Sequence, residues 1–319
     1  MTTSGGLLGE PTPPGRGVGA AATHPALVEG DRRGSGDHPG DLLDCSTHVL
    51  TVTRKTYLVA GGTSLPDHRE EQGDGYGDVV VTFTDAVRTE LVPTGRLRAA
   101  INLGNPVLAQ GTPDEPRGVT VAIAAALAAA LDAPLDLISV DAARKSHQAM
   151  AGGDVDLVFL AIEPAREDTV VFTDAYVLIE GVYVVRPDAP FSHVDDVDRD
   201  GVTVGVREGS AYDLFLTRTL QSATLVRADE PTQVFEERRA EVVAGVRQPM
   251  TAYVTRTGMR MIEPAFMQIR QAAGLPRSCS DEAVAAVTQF VEELKSSGFV
   301  ADELRRSGQN ATVAPPSSR

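Results

Sequence analysis

The residues able to do chemistry in this chain of 319 are few and scattered. Arg166 stands on a short turn from Pro164 to Asp168, six residues before the pair Phe172-Thr173. A guanidinium presents a planar fork of donors that matches a carboxylate in two parallel hydrogen bonds. On such a turn the alternative is a solvated arginine. Ser210, after Gly209, opens a helical pattern, where its hydroxyl caps the helix and the helix N-H groups and dipole face an anion. Asn102 and Asn105 follow an apolar run and suit turns. Glu163 is the one acid beside Arg166 to nominate for proton transfer; a surface or helix-start role competes with that reading.

The other reactive types form no pattern. Of the six histidines, His24, His38, His48 and His68 lie early in the chain, and His147 and His193 are far apart. Cys45 and Cys279 stand in segments of different character, so they make neither a metal knuckle nor a redox pair. No nucleophile elbow, metal-ligand spacing or phosphate loop occurs, and Gly61-Gly62 and Gly152-Gly153 read as turns. No catalytic residue, cofactor or metal is therefore expected. A formal net charge of -15 argues against nucleic acid or an anionic membrane as partner. No apolar run reaches bilayer length, and no basic, apolar and small-residue series marks an export signal.

The elements that must position these residues follow from periodicity. Residues 1–84, rich in Gly, Pro, Ser and Asp, bury too little apolar surface to offset ordering entropy and read as a disordered segment. Leu97 to Ile101 suits a buried strand, Val121, Ala124, Leu127, Ala128 and Leu131 line one helical face, and Leu135 to Val140 and Asp156 to Leu160 are further strands around a helix ending at Ala151. A second set of strands and helices runs from Val202 to Ala244. The last helix is clearest: Ser280 caps it, Asp281 and Glu282 suit its positive end, and Gly298 ends it. Strands alternating with helices predict an α/β fold with mostly parallel sheets. Extended segments near Val182 to Val185 and Phe266 to Ile269 join the sets into two lobes with a cleft between. The division is 85–180 and 267–308 for lobe 1, 181–266 for lobe 2, and a disordered tail at 309–319.

The order of motifs resembles the bacterial extracellular solute-binding proteins of family 3, the polar amino-acid receptors of ABC importers. It is carried by Gly95-Arg96-Leu97-Arg98, Gly118-Val119-Thr120-Val121, Gly152-Gly153-Asp154-Val155-Asp156-Leu157, Arg166 before Phe172-Thr173-Asp174-Ala175-Tyr176, Gly201-Val202-Thr203-Val204-Gly205-Val206, Gly209-Ser210-Ala211-Tyr212 and Phe290 to Leu294 with Gly298-Phe299. The resemblance covers about Arg88 to Gly308 and implies a two-lobed, type II periplasmic-binding-protein-like fold. It implies a monomer that binds a small carboxylate solute, with ABC permease subunits as partners, and not an enzyme. Arg166 falls on the position that clamps the ligand's carboxylate, Ser210 and Ala211 on the opening of the first lobe 2 helix, and Asn102 and Asn105 on positions placed over the ligand.

The departures carry equal weight. Where family members have small polar residues before the arginine, this chain has Phe159 and Ala161. Where they carry an acid for the ligand's ammonium, it reads Ala244-Gly245-Val246-Arg247-Gln248-Pro249. Arg247 either faces the cleft, favouring a second anionic group on the ligand, or is a surface charge. Two other readings share the fold. One is a ligand-sensing module without a transporter. The other is a dehydratase of the cyclohexadienyl or arogenate type, with Glu163 as its acid. The family implies an extracytoplasmic location, whereas the lack of a visible export signal allows a cytoplasmic one.

Overall fold

The computed structural model describes residues 81–317. The expected disorder up to residue 80, with Cys45 and the four early histidines, lies outside the described residues. The described chain begins with α1 (Asp85–Leu91), β1 (Leu97–Asn102), a small hairpin of β2 (Gln110–Gly111) and β3 (Pro116–Arg117), α2 (Val119–Ala130), β4 (Leu135–Val140), α3 (Ala143–Ala151) and β5 (Val158–Ala161). A long strand, β6 (Val170–Val185), then carries it into β7 (Thr203–Arg207), α4 (Ala211–Thr219), β8 (Thr224–Ala228), α5 (Pro231–Glu236), β9 (Val242–Val246) and α6 (Arg247–Thr257). A second long strand, β10 (Arg260–Pro276), returns to α7 (Asp281–Ser296), α8 (Phe299–Arg306) and β11 (Thr312–Val313).

Each half has a parallel core. In lobe 1, β1 pairs with β4 in the register Leu97 to Leu135 and reaches Leu157 by a parallel bridge at Ala99. In lobe 2, β7 lies between β8 and β9, parallel to both. The valine-rich runs of β7 and β9 suit strands covered on both faces. The two crossing strands pair antiparallel with each other, β10 also with β5 and β6 also with β9. Their ladder breaks register between Ile262 and Met267, where the chain passes from one half to the other. There Phe266 stacks on Tyr183 at 4.2 Å between ring centroids. Gly181 lies beneath, where a Cβ would fall 2.7 Å from Met267 Cγ.

Local chemistry explains the main helices. α2 is almost all Ala, Val, Ile and Leu, a strong helix-forming composition that is apolar all round, and it is buried accordingly. It starts at Gly118, whose φ of 115° and approach to the Leu108 carbonyl leave no room for a Cβ. Ser280 caps α7 by accepting from Ala283 N at 3.2 Å, and Asp281 and Glu282 follow in its first turn.

Pro249 sits in the first turn of α6, where no backbone N-H is needed. Two segments differ from the sequence reading. Residues 81–84 belong to the fold: Phe83 is buried and meets Phe290 at 6.0 Å between centroids. The expected tail is tied down, with β11 paired to Val177 and Leu178, and Lys295 Nζ donating to Pro315 O at 2.9 Å. Among the described residues no helix is long and apolar enough to cross a membrane.

Candidate functional site

Between the lobes lies a cleft of about 480 Å³, bordered in lobe 1 by the loop after β1 and the end of β5, and in lobe 2 by the C-terminal ends of β7 and β9 and the start of α4. Loops at the carboxyl ends of parallel strands are where open α/β sheets bind ligands.

Arg166 lies on this border, on a short 3-10 turn after β5, and only 2% of it is exposed. Its Nη1 donates to Ala161 O at 2.9 Å, and its Nη2 donates across the cleft to Gly209 O at 3.0 Å. Burial draws its pKa down to about 10, opposed by nearby Glu163, so it remains a cation at neutral pH. A buried guanidinium held by two carbonyls keeps its remaining N-H groups for an acceptor in the cleft.

Opposite it, Ser210 caps α4, its Oγ accepting from Asp213 N at 3.1 Å. The first helical N-H groups, those of Ala211 and Tyr212, have no acceptor within the helix, and both residues line the cleft. Asp213 accepts from Gly209 N at 2.8 Å and pairs with Arg227 at 2.9 Å, which fixes this helix start. Asn102 and Asn105 also reach the cleft. Each carboxamide oxygen closes its own turn, onto Gly104 N at 2.9 Å and Val107 N at 3.3 Å. They are turn formers and wall residues at once.

Phe159 and Ala161 line the lobe 1 wall, with Phe159 set edge-on against Tyr176. Arg247 is not among the lining residues: its guanidinium is taken by Glu180 of β6 and by Glu263 of β10, the latter at 2.6 Å. It braces the crossing strands instead. Glu163 is buried but also absent from the cleft lining, and its carboxylate pairs with Arg218 of lobe 2 at 2.6 Å. Among the described residues no group of three or more His, Cys, Asp or Glu side chains gathers to hold a metal.

Sequence reasoning missed Arg207, Tyr253, Met250 and Gln271 in the lining. Arg207 was findable, since it ends the strand Val204 to Val206 on the side where ligands bind. It donates across the cleft to Gly104 O at 3.2 Å and Asp141 O at 2.9 Å. On the same edge Arg144 of lobe 1 pairs with Asp229 at 2.5 Å. Val246 borders the cleft at the end of β9, where an ammonium-binding acid was expected to be missing.

A family model for bacterial extracellular solute-binding proteins, family 3, matches residues 97–306. The chain belongs to this family. Among solved structures, a variant of ArgBP from T. maritima aligns with it at TM-score 0.58 and 19% identity, over 70% of this chain and 99% of that one. AncCDT-1, an ancestral amino acid-binding protein and precursor of cyclohexadienyl dehydratase, aligns at TM-score 0.55 and 20% identity, over 69% and 97%. AbpA from Streptococcus pneumoniae, an amino acid ABC transporter substrate-binding protein bound to L-arginine, aligns at 0.57 and 18%, over 68% and 96%. These likenesses establish the two-lobed type II periplasmic-binding-protein fold of the family 3 proteins. No curated protein sequence matches the chain.

Proposed function

We propose that this family 3 protein is the substrate-binding component of an ABC-type importer and closes its lobes on a small carboxylate-bearing solute. The observation that carries the reading is Arg166, a buried cation in the cleft wall opposite the open N-terminus of α4. Those are the two devices proteins use to hold a carboxylate. The ligand is an organic acid that lacks a free α-amine or carries a second anionic group. Val246 stands where an ammonium partner would be, and an ammonium enclosed without one is strongly disfavoured. Arg207 and Arg256 add further positive charge to the lining; of its three acids, Glu208 and Asp229 face Arg144 at 3.6 and 2.5 Å, and Glu230 stands beside them at the start of α5. Binding without turnover is supported by Glu163, whose carboxylate is engaged by Arg218 away from the lining.

Calorimetric titration with matched pairs, a dicarboxylic acid against glutamate and a keto acid against its amino acid, tests the preference. The acid without an amine should bind tighter in each pair; the reverse order overturns it. Arg166→Ala should weaken binding by ~2–5 kcal/mol, the range for truncating one partner of a buried charged pair, with the fold retained. Unchanged affinity removes Arg166 from the site. Deleting the gene should abolish cellular uptake of the bound acid. Unchanged uptake with an altered transcriptional response would favour the sensing module.

A further inference from the structure

Gln271 is a polar group of the cleft that no protein contact explains. It sits in β10 within the run Ile269 to Leu275, a stretch whose residues are otherwise apolar apart from Arg270. Side chains two apart on a strand share a face. Ile269 and Gln271 accordingly both line the cleft, and Gln271 is only 6% exposed. An apolar side chain is expected at such a position. Gln271 instead offers a carbonyl acceptor and two N-H donors, and among the described residues its side chain makes no hydrogen bond. The Gln271 amide opens onto the cleft with no protein partner, so a bound ligand can supply one.

Its position specifies which part of the ligand it meets. Gln271 is paired in register with Ala161 of β5, and the Ala161 carbonyl is the acceptor that fixes Nη1 of Arg166 at 2.9 Å. The amide and the guanidinium therefore belong to one wall, one strand apart. A ligand carboxylate held by Arg166 would lie one strand from Gln271, within reach of a substituent on its neighbouring carbon. We propose that Gln271 is the specificity-determining residue of the cleft and selects acids with an uncharged oxygen function beside the carboxylate, 2-hydroxy or 2-oxo acids. A carboxamide satisfies a hydroxyl or keto oxygen in full, but it carries no charge to offset an ammonium. This inference rests on the carboxylate-binding reading above.

The test uses the full chain and three acids of one carbon skeleton: the 2-hydroxy acid, the 2-amino acid and the unsubstituted acid. Gln271→Met, close in length and apolar, should lower affinity for the hydroxy acid at least tenfold and change that for the unsubstituted acid less than threefold. Without ligand, its melting temperature should match that of the parent, because the substituted side chain keeps the length of the original and the amide has no protein partner to lose. Gln271→Glu should shift preference toward the amino acid by supplying the missing charge. An equal loss for all three acids, or no loss for any, overturns the assignment. Unchanged binding in Gln271→Met combined with loss in Arg166→Ala rejects this inference alone. Failure of every carboxylic acid to bind the parent chain rejects the carboxylate reading as well.

Discussion

His147 shows how a single side chain reports on the site. It lies on α3, its Nε2 2.7 Å from Thr169 Oγ1. Burial holds its pKa below the ordinary imidazole value, and the charge of Arg166 pushes it the same way, while Asp168 opposes them. A group whose folded pKa is depressed favours the neutral form in the native state. Protons then bind the unfolded chain first, and stability falls as pH drops through the unfolded imidazole value near ~6.5. The thermal midpoint should therefore be flat above that pH and decline below it, and His147→Gln should flatten the mild-acid limb. A parallel decline in the variant would assign the effect to carboxylates instead. The same neighbour links His147 to function: protonating it adds charge beside Arg166, which raises the cost of burying both cations.

The helices and loops facing each other across the cleft are joined by bonds of different depth. Arg144 meets Asp229, whose side chain is 70% exposed, so this pair contributes only ~0–1 kcal/mol. Glu163 is different, with its side chain 4% exposed and its partner Arg218 on α4 of the opposite lobe. Removing the arginine takes from the buried carboxylate its bonded partner in the closed arrangement, and opening the cleft relieves the loss by letting water in. Arg218→Ala should thus shift the molecule toward an open form, seen as a larger radius of gyration in small-angle scattering and a weaker ligand affinity. Arg144→Ala should leave both nearly unchanged. Equal effects from the two variants would show that closure does not depend on the buried pair.

The described chain is held together by the crossing strands β6 and β10, neighbours in one sheet that carries β5 on one side and β9, β7 and β8 on the other, and one apolar cluster extends from Val81 through both halves to Leu304. Residues at the front of the described chain close the lobe 1 end of this cluster, where Phe83 packs against Phe290 of α7. Phe83→Ala should cost ~3–5 kcal/mol, read from denaturant unfolding with an unchanged slope. A loss below ~1 kcal/mol would place Phe83 outside the cooperative core. The chain carries a formal net charge of -15, against which Arg166, Arg207 and Arg256 in the cleft lining offer an anion a local attraction.

Local patterns carry much of this protein. Alternating strands and amphipathic or apolar helices, the Ser280 and Ser210 caps, and the ordered motif series are all written in neighbouring residues, because capping and periodicity act within a few positions. They sufficed for the two-lobed fold; Arg166, Ser210, Ala211, Asn102, Asn105, Phe159 and Ala161 border the cleft, and their part in holding a ligand is the proposal made above. What depended on long-range packing was not legible. Whether Arg247 faced the cleft depended on Glu180 and Glu263, distant in the chain and brought to it by the crossing strands. Glu163 looked available until α4 of the other lobe placed Arg218 against it. Gln271 looked like one polar residue in a strand; only the register of β10 against β5 sets it beside the carbonyl that holds Arg166. Partners far apart in sequence leave no local trace, since the energy that joins them arises only when the chain has folded.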